Sequence, residues 1–562
     1  MPAPTAVTGL DLSPIPGRTY LNVTREWREE FIYFLLVDRF QDDTPRSPTL
    51  QAGRASGVPT PDGFYGGKLR GITSNLDYIA GLGCTAIWLS PVFENNPGAY
   101  HGYNLNNYLD IDPQFGTKQD LIDLVQAGHD RSPPMRIILD VVINHSGDNW
   151  YYPGNTDYFY ANDTRFSLGG WRRGDRPVPT ELRNPELYHR RGQITGNGWD
   201  QYPEGQHGDI VTLKDYHNDD DDPGSELINI LIKAHCYWIR EADVDGFRVD
   251  AVKHMGELAC SRFCSMIREY AYSLGKRGFF LFGEAATASD EIYDRYIGQN
   301  TSRQDSTVFF GITSLLDFRL AQGAGAGREP LRNVIKGFAS PATLFDRLEA
   351  QRNRALNRGE IGRYLVSFVD NHDAFWQPGR IAWQAPDDQV IAAIGYLLCS
   401  LGTACIYYGT EQGFEGHGGD NQMREAMFNT AAPGTNLLNT DCRIYREIAR
   451  IAAVMRAEQP LRFGRMYFRQ ISGDGIHFGY PFGTSYTLAF SRLLYGREIL
   501  VAYNVSSSPR TDRVVVDASI HRRGDTMTFL YGKNGTAQVD QASDGTCYVQ
   551  LDLAGHQFVI LE

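Results

Sequence analysis

Short apolar runs recur along most of the chain, and between them apolar residues return at helical spacing. The runs at 31–40, 85–92, 136–143, 246–252, 279–283, 308–316, 364–369 and 403–408 read as strands. The amphipathic stretches at 69–82, 119–128, 226–241 and 389–401 read as helices between them. This alternation predicts βα units in a parallel sheet, and eight such strands are the number that closes an α/β barrel. Several runs end in polar residues, at the end where such a barrel presents side chains to a substrate.

Two places break the rhythm. About 100 residues separate the third strand from the fourth, far more than a helix and two loops need. The extra length is rich in Gly, Pro, Asn, Asp, Tyr and Trp. It is expected to fold as a small inserted domain walling the cleft. Beyond residue 459 short alternating segments (486–491, 499–505, 526–530, 547–551, 557–561) separated by Gly, Asn and Ser predict an antiparallel β-sandwich. The expected organisation is a (β/α)8 TIM barrel from 1–145 and 224–460, an inserted domain at 146–223 after the third strand, and a C-terminal antiparallel β domain at 461–562.

A chain of 562 residues exceeds one compact core, in keeping with that division. The formal charge of −13 disfavours nucleic acid, because phosphate binding needs clustered Lys and Arg. Neutral ligands suit it better, and an aromatic content of 12% supplies rings that can stack on sugars as well as fill a core. No segment is apolar over the roughly 18 residues of a membrane helix. The N-terminus lacks a basic stretch followed by an apolar run, so a cytoplasmic protein is expected, with a secreted mature form as the alternative. Cys84, Cys399 and Cys405 sit in apolar runs and are expected to be reduced. Cys260 and Cys264 share a helical face without the pattern of a zinc site.

Four segments carry the chemistry: Asp140-Val-Val-Ile-Asn144-His145, Gly246-Phe-Arg248-Val-Asp250-Ala-Val-Lys253-His254, Phe282-Gly-Glu284-Ala285 and Phe368-Val-Asp-Asn-His372-Asp373. Three acids from three strand ends, beside Arg248 and two histidines, suit glycosidic bonds. Together with Tyr100-His101-Gly102-Tyr103, Gly66-Gly67-Lys-Leu-Arg-Gly71 and Tyr407-Tyr408-Gly409-Thr410-Glu411, the segments resemble the α-amylase family (glycoside hydrolase family 13), in family order. The resemblance covers roughly residues 27 to 460. It implies a retaining enzyme acting on α-1,4-glucosidic bonds of starch or maltodextrins, with Asp250 as nucleophile, Glu284 as general acid/base and Asp373 as transition-state stabiliser. A retaining glycosidase needs two carboxyls about 5–5.5 Å apart, one ionised to attack and one protonated to release the leaving oxygen. Arg248, two residues before Asp250 on the same strand face, is placed to lower the pKa of Asp250, whereas Glu284 is expected to be raised.

The resemblance further implies that His145 and His372 bond the reacting sugar, that His101 and Tyr103 contact and stack on it, and that Asp140 supports the site through Arg248. Lys253 and His254 resemble a pair beside the acceptor sugars. It also implies a calcium site made by the Asn144 side chain, an acid of the inserted domain and the backbone carbonyl of His254. Leu213-Lys-Asp215-Tyr-His-Asn218 supplies Asp215 for the acid, although Lys214 introduces a competing cation. The acidic run at 219–222 reads as a solvated charge run ahead of a helix, with a second cation site as the alternative. Asn104 stands where many members of the family carry Trp, which removes an aromatic platform, and Ala285 leaves a small side chain near the acceptor side. A transglycosylase with the same site is the alternative activity, and a catalytically inactive carbohydrate-binding relative is the alternative of another class.

Overall fold

The computed structural model describes residues 3–42, 63–219, 225–287, 289–297, 311–323, 327–355, 365–374, 379–428 and 437–562. Eight parallel strands form a closed barrel: β1 (Phe31–Leu35), β2 (Ala86–Leu89), β3 (Arg136–Val141), β4 (Gly246–Val249), β5 (Phe280–Gly283), β6 (Ser314–Leu316), β7 (Leu365–Ser367) and β8 (Thr403–Tyr407). Each strand pairs with its neighbours in sequence, and β8 closes on β1. Every residue of these strands is buried. That is why they read as unbroken apolar runs: helices cover the outside and side chains fill the inside.

The predicted spans shift where polar groups must be satisfied. The run at 31–40 is a strand only to Leu35, after which Val37–Phe40 forms a helical turn. Asp38 there is buried, accepts the backbone N–H groups of Tyr65 and Gly66 at 2.9 and 3.0 Å, and pairs with Arg39. A straight strand could not aim it at both. The stretch at 69–82 is two helices, Leu69–Thr73 and Leu76–Gly81, broken where Asn75 Nδ2 bonds the Gly71 carbonyl at 2.7 Å. The sixth strand is short, and residues 308–310 of its predicted span lie outside the described residues. Helices Lys118–His129, Glu226–Ala242 and Asp387–Cys399 match their predictions to within two residues.

After β3 the chain leaves the barrel through short ladders, His145–Ser146 with Lys214–Asp215 and Trp150–Tyr151 with Gly170–Trp171. Trp150, Tyr152, Tyr188 and Tyr216 pack edge to face and tilted at the root of this insert, giving it an aromatic core in place of regular structure. The C-terminal segment forms one nine-stranded antiparallel sheet. Its residues divide with period two. Leu488, Phe490, Ile499 and Val501 join the main core, whereas Ala489, Leu500, Val514, Val539 and Val549 form a second core of the sheet's own. Buried Arg492 fastens it to the barrel by donating to the Cys399 carbonyl at 2.7 Å. All eight cysteines are buried and none forms a disulfide, and no helix of the described residues is long and apolar enough to cross a membrane.

Candidate active site

Register places the polar strand ends side by side. Arg248 on β4 lies opposite Asp140 on β3 and Phe282 on β5. Its Nη1 donates to Asp140 Oδ1 and Oδ2 at 2.9 and 3.1 Å and to Asp250 Oδ1 at 2.6 Å. Its Nη2 lies 3.9 Å from Glu284 Oε2. One buried guanidinium therefore serves carboxylates from three adjacent strands. Asp140 is fully engaged, also accepting from Tyr103 Oη at 2.8 Å and Trp88 Nε1 at 3.1 Å. Immediately after Asp250 the backbone of Ala251 turns left-handed, with φ 51° and ψ 35°, a conformation that costs a non-glycine residue of order 1 kcal/mol. The turn aims the Ala251 N–H at Glu284 Oε2, 2.9 Å away.

The electrostatics separate the acids. Burial lifts Glu284 to about 7; Arg248 opposes this, and the charges of Asp250 and Asp373 add to it. Burial likewise lifts Asp140 to about 7 against the pull of Arg248. Asp250 also moves upward, because burial outweighs Arg248. The sequence-based expectation of a net lowering at Asp250 is thus corrected: the guanidinium limits the rise without reversing it. The guanidinium lies 2.6 Å from Asp250 and 3.9 Å from Glu284, so it favours the charge on Asp250 and leaves a shared proton to Glu284.

Around the acids, Tyr103 stacks on His372 at 5.3 Å between ring centres and on His101 at 5.9 Å, and His101 Nδ1 accepts the Tyr103 backbone N–H. His145 is buried and its Nε2 has no partner; His372 Nδ1 is in the same condition. Burial holds His145 near 4 and His372 well below the usual histidine value, so both rings are neutral. Neutral buried imidazoles with an unused nitrogen are what a hydroxyl-rich ligand satisfies. Lys253 Nζ bonds Asp200 Oδ1 at 2.8 Å and the Ala286 carbonyl at 2.9 Å, and His254 Nδ1 donates to the Gly205 carbonyl. These two side chains thus tie the barrel to the insert.

The residues proposed for a cation gather at the foot of the insert. Asn144 Nδ2 lies 3.2 Å from Asp215 Oδ1, and Asn218 Nδ2 lies 3.4 Å from Asn144 Oδ1. His254 adjoins them through the Gly256 N–H, which bonds the Asn218 carbonyl at 3.1 Å. Lys214 turns away: its ammonium lies 3.4 Å from Asp148 and 3.8 Å from Asp209, over the Trp150 ring. It does not take the place beside Asp215. Asp219 is only partly exposed, for it meets His189 at 2.9 Å and His207 and His217 at 3.3 Å. Residues 220–222 lie outside the described residues.

Some participants carry no local signal. Arg424, in the loop beyond β8, donates to Asp373 Oδ1 at 2.9 Å, to the His372 carbonyl at 2.9 Å and to Tyr100 Oη at 3.2 Å. It fixes the fourth segment, yet only its distance in sequence from any motif could have been read. Asp200 and Trp88 are similarly plain in sequence. Glu411 of the Tyr-Tyr-Gly-Thr-Glu segment is fully buried, accepting the hydroxyls of Tyr33 and Tyr78 at 2.7 Å, and so serves the core.

Comparison with known proteins bears on the fold and the family. The family description "Alpha amylase, catalytic domain" matches residues 34–443. An α-amylase of Streptomyces lividans is 28% identical over 91% of this chain and 58% of its own. A cyclomaltodextrin glucanotransferase of Klebsiella oxytoca is 28% identical over 76% of this chain and 65% of its own. The chain therefore spans less than two thirds of the length of these relatives. Among solved structures, Geobacillus thermoleovorans α-amylase complexed with acarbose superposes with a TM-score of 0.68 at 23% identity, covering 96% of this chain and 98% of that one. The three-domain cyclomaltodextrin glucanotransferase CldA gives 0.69 at 24%, covering 94% and 98%. Both show the shared fold.

Proposed function

Because the chain belongs to the α-amylase family, we propose that it is a retaining α-glucan-active enzyme that opens α-1,4-glucosidic bonds of maltodextrins or starch. The observation that carries the reading is one guanidinium shared unequally by two acids, which favours the charge on Asp250 and the proton on Glu284. Asp250 attacks the anomeric carbon while Glu284 gives its proton to the leaving oxygen. Glu284 then takes a proton from water as that water displaces Asp250. The sugar departs with its original anomeric configuration. Asp373, held by Arg424, grips ring hydroxyls as the sugar flattens. His145 and His372 accept or donate to neighbouring hydroxyls, and Tyr103 with His101 offers an aromatic face. Lys253 and His254 border the acceptor side.

The relatives named as cyclomaltodextrin glucanotransferases favour a second outcome at the same site, in which another sugar replaces water. Digestion of maltoheptaose with anomer-resolved product analysis tests both readings. Shorter α-anomers mean hydrolysis, and products longer than the substrate mean transfer. Initial β-anomers would overturn the retaining mechanism.

A calcium ion would be held by the side chains of Asn144 and Asp215 and the carbonyl of His254. Supporting it, Asp215 is buried and pushed well above the usual carboxylate range by burial, with the charges of Asp209 and Asp219 adding to the shift. Among the described residues no Lys or Arg pairs with it, and Asn218 Oδ1 nearby is buried without a partner. When bound, the ion supplies charge neutralisation that pins the insert to the barrel, and the reaction itself runs through the acids.

A further inference from the structure

We propose that His189, His207 and Asp219 form a binding site for a zinc-class divalent ion, with His217 beside them. All four residues belong to the insert, apart from the acids of the barrel. One ligand atom from each of His189, His207 and Asp219 lies within 4.8 Å of the others. Tetrahedral zinc draws such atoms to roughly 3.4 Å from one another, so a small contraction completes the set. His189 Nε2 and His207 Nε2 both approach Asp219 Oδ1, at 2.9 and 3.3 Å, and His217 Nε2 lies 3.3 Å from Asp219 Oδ2.

The outer contacts are those of a metal-binding histidine. His189 Nδ1 lies 2.6 Å from Asp215 Oδ2, and His207 Nδ1 lies 2.9 Å from Asp163 Oδ1. A carboxylate behind Nδ1 selects the tautomer with the proton there, which turns the Nε2 lone pair inward. Two inward lone pairs and a carboxylate oxygen then face one point, where a divalent ion takes the place of the ring protons that otherwise bridge Nε2 to Asp219. Both imidazoles are buried, and Asp219 and His217 leave the cluster open on one side for a further ligand. Among the described residues, Asp163, Asp215 and Asp219 outnumber the one guanidinium paired with them, Arg191, 3.3 Å from Asp163.

The ligand set chooses the metal. Imidazole nitrogens suit zinc, nickel and copper, whereas calcium takes oxygens. Asp215 would bond the zinc ligand His189 through Oδ2 and face Asn144 through Oδ1, linking this site to the oxygen-rich one. Asp215 also pairs in register with His145, so ordering the cluster steadies a residue of the cleft. The ion would staple four positions of a segment that has little regular structure.

The test is zinc titration of the chelator-stripped full chain by calorimetry, with calcium present in excess. One zinc per chain is expected, together with the intense visible absorption of a four-coordinate site when cobalt is used instead. H207Q should weaken binding at least 100-fold, and D163N, which removes only the outer contact, 10- to 100-fold. H477A, at an exposed histidine of the C-terminal sheet, should bind as the native chain does. Circular dichroism identifies any variant that fails to fold, and D163N at the rim then carries the test. Absence of stoichiometric zinc uptake by the folded chain, or equal affinity in native and H207Q proteins, overturns the proposal.

Discussion

At the barrel mouth, Asp140, Asp250 and Glu284 gather around the guanidinium of Arg248. At the foot of the insert, Asp163, Asp215 and Asp219 meet imidazoles and an amide instead. Asp140, Asp250 and Asp215 are all buried, but only at the mouth does a guanidinium sit among the acids; in the insert Arg191 reaches only the half-exposed Asp163. A residue on a barrel strand holds its charge in fixed register with the strands beside it. A loop-rich insert has no such rigid neighbour, and at the proposed metal sites a bound ion would supply the cross-link. With the proposed ions in place, the two regions would be vulnerable in different ways: the mouth to substitution, the insert to chelation.

The comparison breaks most sharply at the mouth. Asp250→Asn keeps the shape and removes the attacking charge, so activity on maltoheptaose should fall on the order of 10³-fold or more. Retention of more than a tenth would remove Asp250 from its role. Arg248→Met leaves Asp140 and Asp250 buried without their cation, which should cost about 3–5 kcal/mol of stability in denaturant unfolding. A loss under about 1 kcal/mol would mean that the shared guanidinium is not what holds the acids.

In the insert the lever is the ion. Calcium at a hundredfold excess over Kd should add about 2.7 kcal/mol, moving the melting midpoint by a few degrees, and a chelator should reverse it. Asp215→Ala should abolish that response while the Asp250–Glu284 geometry persists. An unchanged midpoint in calcium-free native protein would contradict the calcium reading.

The smallest effect concerns pH. Glu284 rises from an ordinary value near 4.5 to about 7 in the fold. The folded state therefore holds its proton more tightly, and the associated stability is complete below about 4.5 and lost as pH climbs through 7. Relative to Glu284→Gln, the native chain should lose on the order of 2 kcal/mol across that window, with Asp140 and Asp250 sharing the titration. A constant difference between the two proteins from pH 4 to 8 would show that Glu284 is not raised.

Much of the barrel was legible because its strands are buried on both faces and therefore read as apolar runs, and the acids were legible because strand ends bring neighbouring motifs together. What escaped depended on distant partners. The strand at 31 stops at Leu35 because Asp38 must reach Tyr65 and Gly66. The grip of Arg424 on Asp373 joins positions 51 apart in sequence. Asp219 looked like part of a solvated run because the histidines that surround it come from 189, 207 and 217. Lys214 looked like a rival to calcium because a linear reading cannot show which way alternate residues of a two-residue ladder point.

In the proposed mechanism Asp250 and Glu284 divide the work of one double displacement. This division is tested most directly by Glu284→Gln with α-glucosyl fluoride, whose leaving group needs little protonation. The account predicts a sugar adduct on the peptide containing Asp250 in the mass spectrum, while starch is hardly touched. Equal loss of activity on both substrates, with no adduct at Asp250, would contradict it.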